Sequence, residues 1–179
     1  MLTIILPAGE WYDQERNLFI PYKECSLTLE HSLVSISKWE SKWHKPFYGN
    51  KEKTQEETID YIRCMVIGQI PDINFYKRFS EKNISEISEY ITDPMTATTF
   101  SNNNKKASKE ILTSEIIYYL MVAYGIPFEC QKWHINKLLT LIKVCEIKNE
   151  PPKKMSKADI YSRNRALNAA RRAKYNTKG

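Results

Sequence analysis

Five glycines in 179 residues limit the architecture of this chain more than any other feature. Two-residue hairpins, bulges and barrel corners use backbone conformations that glycine supplies most readily, so a turn-dense all-β fold is short of its usual material. Helices need glycine mainly just past their ends. A mainly helical chain is therefore expected. Its length is short for two domains, and a hydrophobic content of 42% with 11 Tyr and 4 Trp excludes a disordered one.

Leu2–Leu6 reads as an apolar strand ended by Pro7, with a turn at Ala8-Gly9; Leu18–Ile20 and Ser26–Leu29 are expected to pair with it. From His31 the period becomes helical through Leu33, Ile36, Trp39, Glu40 and Trp43, with Pro46 as the stop. Thr54 and Glu57 have capping-box spacing and launch a helix through Ile59, Ile62, Met65 and Val66 to Gly68. Short helices are expected at Asp72–Phe79 and from an Asn83–Glu86 cap through Tyr90, and a flexible loop at Asn102–Lys106. Ser108 is read as the cap of a helix whose stripe is Leu112, Ile116, Tyr119, Leu120 and Ala123, stopped by Gly125 and Pro127. A further helix from Glu129 to Lys148 carries Ile135, Leu138, Leu139, Ile142 and Cys145, and these two helices are expected to form the hydrophobic centre. The expected fold is α+β and mainly helical: a small N-terminal antiparallel sheet (strands about 2–29), a helical core (about 31–148) and a basic C-terminal helical arm. A single globular domain, 1–150, thus precedes an arm at 151–179.

Charge sharpens that division. Residues 151–179 hold nine Lys and Arg against one acid, Asp159, and so carry +8, while residues 1–150 carry −2. The excess charge belongs to the arm. Ser156 and Asp159 have capping-box spacing and open its helix, which is expected to run to about Lys174. Its large apolar groups are few, Ile160 and Leu167, so docking on a core would add little, and partial formation until a partner binds is expected. Lys153, Lys154, Lys157, Arg163, Arg165, Arg171, Arg172 and Lys174 are the candidate partner-binding residues. Guanidinium and amide groups fork, which suits hydrogen bonding to phosphates or carboxylates. A nucleic acid or an acidic protein groove fits such a helix; a solubilising tail is the plain alternative.

The sequence contains no phosphate loop, dinucleotide fingerprint, HExxH or GxSxG. A binding protein without catalytic residues, metal or cofactor is expected. Cys130 and His134, four apart on the same face of the helix expected from Glu129, are a candidate half of a zinc site, with His31, Cys25, Cys64 or His44 as scattered candidates to complete it. A small buried cysteine and a helix-edge histidine are the plainer reading. Trp39 and Trp43 alternate with Lys38, Lys42 and Lys45. They share a helical face with Ile36, which favours core anchoring; an exposed pair would make a binding hot spot. The four cysteines lack CxxC spacing, and reduced thiols are expected. Neither a signal peptide nor a membrane span is expected; the best uncharged run, Ile116–Phe128, is too short.

Several segments carry a resemblance. Leu29–Trp43, Asp60–Met65, Asp93–Ala97, Ile126–His134 and Pro151–Ser156 together resemble a family of small proteins encoded in the tail-morphogenesis region of long-tailed bacteriophages, the tail assembly chaperones. The resemblance implies a non-enzymatic assembly factor that shields the tape-measure protein in the host cytoplasm until the tail tube closes around it. It implies no individual residue roles. A nucleic-acid-binding protein or a structural component of the virion, acting through the arm, is the alternative. Oligomeric state and retention in the mature particle are left open.

Overall fold

A computed structural model describes residues 1–49, 52–69, 75–100, 111–149 and 156–177. The fold is α+β and mainly helical, with a small antiparallel sheet of three strands built chiefly from the N-terminal residues. The chain divides into two compact units, Met1–Glu146 and Ile147–Gly179, and the division falls within a helix rather than after it.

In the first unit, β1 (Leu2–Leu6) lies antiparallel to β4 (Cys25–Leu29), with Leu2 opposite Leu29 and Ile4 opposite Leu27. Alternation sends Ile4, Leu6, Leu27 and Leu29 into the core and Ile5 outward. The segment Leu18–Ile20, expected beside Leu2–Leu6, pairs elsewhere: β2 (Gly9–Asp13) and β3 (Leu18–Tyr22) form a separate hairpin with Trp11 opposite Ile20. Gly9 is thus a strand residue, not a turn. A Cβ there would meet the Tyr22 hydroxyl at 2.7 Å, so a side chain at this position would push the cross-strand ring aside. The hairpin turns through Asn17 at φ 51°, a conformation asparagine tolerates. Arg78 ties its base to the main sheet by donating to the carbonyls of Leu6, Pro7 and Lys23.

The third sheet strand, β5 (Val66–Ile67), pairs Val66 with Leu29. Val66 was expected inside a helix; β-branched residues beside an open strand edge pair with it instead. The helix before it, α2 (Gln55–Met65), begins at the expected Thr54–Glu57 capping box, made in both directions.

Upstream, α1 (Leu33–Trp43) starts at a Ser32–Ser35 capping box and stops at His44, φ 51°. Residues 75–78 of the expected short helix form a 3-10 turn; residues 72–74, the loop expected at 102–106 and the cap expected at Ser108 lie outside the described residues. α3 (Glu81–Thr92) is capped by Ser80, with Asn83 as the third helical residue, so the cap expected at Asn83 is three residues early in the structure. α4 (Ser114–Ala123) is capped by Thr113, which leaves Leu112 before the helix. Gly125, at φ 63°, is where expected.

The helix expected from Glu129 is broken. Phe128–Lys132 is a 3-10 segment, Trp133 is extended, and α5 runs Ile135–Asn149. Tertiary pairing causes the break: Ser32 and His134 form an isolated bridge, and the Ile135 amide donates to the His31 carbonyl at 2.8 Å. The core lies where the sheet residues meet Leu33, Ile36 and Trp39 of α1, Tyr61 and Met65 of α2, Ile117 and Met121 of α4, and Ile135 and Leu138 of α5. Its centre is thus α1 and the sheet, not α4 and α5 alone. Each such side chain contributes about 1.5–3 kcal/mol by leaving water.

The second unit contains α6 (Lys157–Tyr175), fully helical from its Ser156 cap to Asn176 at φ 49°. The Ser156 hydroxyl accepts from the Asp159 amide and donates to the Asp159 carboxylate. No residue of α6 is buried.

Candidate partner-binding surfaces

The alternating aromatics and cations of α1 resolve into an interior seam. Trp39 and Trp43 lie one turn apart and face α2. The Trp39 indole donates to the Glu57 carbonyl at 2.8 Å, and the Trp43 indole to the Asp60 carboxylate at 2.9 Å. Glu57 and Asp60 are themselves buried, and Lys45 and Lys42 pair with them from the rim. Each ammonium also stands 5.8 Å from the Trp43 ring centre. Hydrogen bonds from Lys45 and the Thr54 amide, in that order, hold the Glu57 carboxyl below its ordinary range. Trp39 is 1% exposed and Trp43 half-buried, so the pair is not an exposed hot spot. A buried indole N–H needs an acceptor, and α2 supplies one for each.

The other interior polar groups are also spoken for. The buried Glu40 carboxylate accepts from the Phe47 amide at 2.7 Å and from the Ser114 amide, at the start of α4, at 2.8 Å. It thereby joins α1 to α4 at the end where helix amides are otherwise unpaired. His31, also buried, bonds through Nδ1 to the Tyr61 hydroxyl and stacks edge-on against His134, ring centres 4.9 Å apart. His134 Nε2 donates to the Tyr90 carbonyl, and its Nδ1 accepts from the Asn136 amide. Burial, then the neighbouring His134, pushes the His31 imidazole down to about 3; burial also lowers His134. Both rings are therefore neutral near pH 7.

Cys130 sits in the 3-10 segment, ahead of the extended Trp133, so it shares no helical face with His134. Among the described residues no three His, Cys, Asp or Glu side chains cluster closely enough to hold a metal ion. All four cysteines are free. No helix among the described residues is long and apolar enough to cross a membrane.

Two surfaces among the described residues present exposed side chains that could meet a partner. The first is the outer face of α4. Ile117 and Met121 point inward, while Tyr119 and Val122 are 69% and 63% exposed; Phe128, also exposed, lies with its ring centre 6.5 Å from that of Tyr118. Of the expected stripe, Leu112 and Leu120 pack against the core, whereas Tyr119 and Ala123 face outward. Residues Ile116 to Tyr124 are uncharged, so apolar side chains circle the helix and periodicity does not select a face. An uncharged run wider than one helical face was the signal for this surface in the sequence.

The second is α6. Lys157, Arg163, Arg165, Arg171, Arg172 and Lys174 all lie on it and all are exposed; Lys153 and Lys154 fall outside the described residues. Tyr161, Asn164, Arg165, Asn168 and Arg172 line one shallow groove along it.

No protein-family model matches the chain, and no curated protein or solved structure is significantly similar to it.

Proposed function

We propose that the protein is a non-enzymatic assembly factor for the tail of a long-tailed bacteriophage, acting in the host cytoplasm on a helical tail protein, the tape-measure protein first among them. The observation that carries this reading is the bare apolar face of α4. Tyr119 and Val122 are exposed large hydrophobics on a helix with no charge between Ile116 and Tyr124, and Phe128, in the 3-10 segment that follows, is exposed as well. Such a face matches an amphipathic helix of a partner that must be kept from aggregating. The cationic residues of α6 add an electrostatic contact that steers encounter.

Co-expression with the tape-measure protein tests the reading. The wild-type chain is expected to co-purify with it, and Tyr119→Asp/Val122→Asp to lose it while the thermal midpoint stays within a few degrees. Absence of any tail protein from the purified wild-type complex would sink the proposal.

A further inference from the structure

Projected at about 100° per residue, α6 sorts its side chains sharply. Its six cations fall within an arc of about 200° on that projection. The rest of the circumference is Ala and Ser, together with Asp159, the one acid of the helix. Near the middle of the cationic arc stand Asn164 and Asn168. Arg163 and Lys174 border the arc on one side, Arg165 and Arg172 on the other.

This distribution discriminates between anionic partners. A single acidic helix touches a stripe of about 100° and leaves one of the two cationic borders without a counter-charge. It also draws on apolar contact, and α6 has only Ile160 and Leu167 to offer besides its tyrosines. The major groove of a DNA duplex is about 12 Å wide and about 8.5 Å deep, enough to take a helix about 10–12 Å across over half its circumference. The two phosphate strands then face the two borders. Carboxamides at the centre face the base edges, where a side-chain amide pairs with the N6 and N7 of adenine. An RNA duplex offers a deep, narrow major groove that a helix cannot enter.

The geometry points to double-stranded DNA as a ligand of α6, with Arg163 and Lys174 on one strand's phosphates, Arg165 and Arg172 on the other's, and Asn164 and Asn168 at the floor of the groove. Arg165 and Arg172 are two turns apart, about 10 Å at 1.5 Å per residue, which covers about three base pairs at 3.4 Å each. The small-residue arc faces solvent. This function goes beyond the tail reading and does not depend on it. Loss of tape-measure binding with DNA binding intact removes only the former, and the reverse result removes only the latter.

Fluorescence anisotropy of the full chain on a labelled 20-base-pair DNA duplex, titrated between 50 and 200 mM salt, is the test. Four phosphate contacts predict a log–log slope of about −3.6, a loss of roughly 100-fold over that range. Arg165→Ala/Arg172→Ala should flatten the slope by about 2. Asn164→Ala/Asn168→Ala should keep the slope and narrow the spread of affinities among duplex sequences. Ala166→Gln/Ala173→Gln, on the opposite arc, should change neither, and far-UV circular dichroism confirms that each variant keeps its helix. A slope shallower than about −1 overturns the proposal. So does equal weakening by the Ala-arc pair, equal affinity for an RNA duplex of the same sequence, or displacement of the DNA by an equimolar poly-glutamate peptide, which would assign α6 to an acidic protein.

Discussion

Helices α2 and α6 begin alike and end in opposite circumstances. Thr54 caps α2 and Ser156 caps α6, and each hydroxyl accepts from the amide of an acid three residues on, Glu57 or Asp159. In α2 that acid is also buried, paired with Lys45, and its carbonyl holds the Trp39 indole. In α6 no side chain is buried at all. The hydroxyl half of each cap is a local transaction among neighbours in the chain and is made in both settings. Only Glu57 accepts in return from its cap amide. What separates them is the face beyond the cap. α2 offers Tyr61 and Met65 to a core, whereas α6 offers Ile160, Leu167 and alanines. The helices of the body are held by packing, and α6 relies on propensity and its cap.

The comparison makes graded demands. The largest effect is expected for Trp39→Ala, which removes a buried aromatic and its hydrogen bond to α2. Urea unfolding should report a loss of about 3–5 kcal/mol; a loss under 1 kcal/mol would mean that the seam is not a true interior.

Acid comes next. His31 titrates at about 3 when folded against 6.5 in its unperturbed state, so the unfolded chain binds more protons below pH 6.5 and stability falls as pH falls. The lowered Glu57 carboxyl adds a loss of the same sign at lower pH. The His31 contribution reaches no more than about 4 kcal/mol near pH 3.5. A His31→Asn variant, compared with wild type across pH 7 to 4 by thermal melts, should show a flatter profile. Parallel profiles would remove His31 as the cause.

Glu40→Gln should cost about 2 kcal/mol, because one of the two backbone amides at the α1–α4 junction loses its carboxylate acceptor. Hydrogen exchange should show the loss first at the start of α4, and uniform protection there would contradict the junction role. The smallest effect belongs to the arm. Ile160→Ala and Leu167→Ala should each stay within about 0.5 kcal/mol of wild type, and a larger shift in the melting curve would erase the contrast with α2.

The legible parts of the fold were those written in neighbouring residues. The Thr54 and Ser156 caps, the stop at Gly125 and the extent of α6 all follow from hydroxyls, glycine and charge within a few positions. The elements that depart from local sequence are of another kind. Val66 joined a strand because an edge of β4 stood open beside it. The helix expected from Glu129 broke because His31 supplied a carbonyl to Ile135 from across the chain. Leu18–Ile20 found a closer partner in Gly9–Asp13 than in Leu2–Leu6. The candidate surfaces divide in the same way. The cations of α6 were visible as charge. The outward turn of Tyr119 was not, because an evenly apolar helix carries no period to read.

By itself, then, the sequence determined the α+β, mainly helical class, the starts of α2 and α6 and the concentration of charge after residue 150. Each of these rests on interactions that span less than two turns of chain, or on composition alone. Tertiary structure alone decided that Glu57 and Asp60 receive the Trp39 and Trp43 indoles, and that the outer face of α4 is left exposed. Those outcomes depend on which distant backbone group lies within hydrogen-bond reach, and burial is a property of what surrounds a residue rather than of its neighbours in the chain.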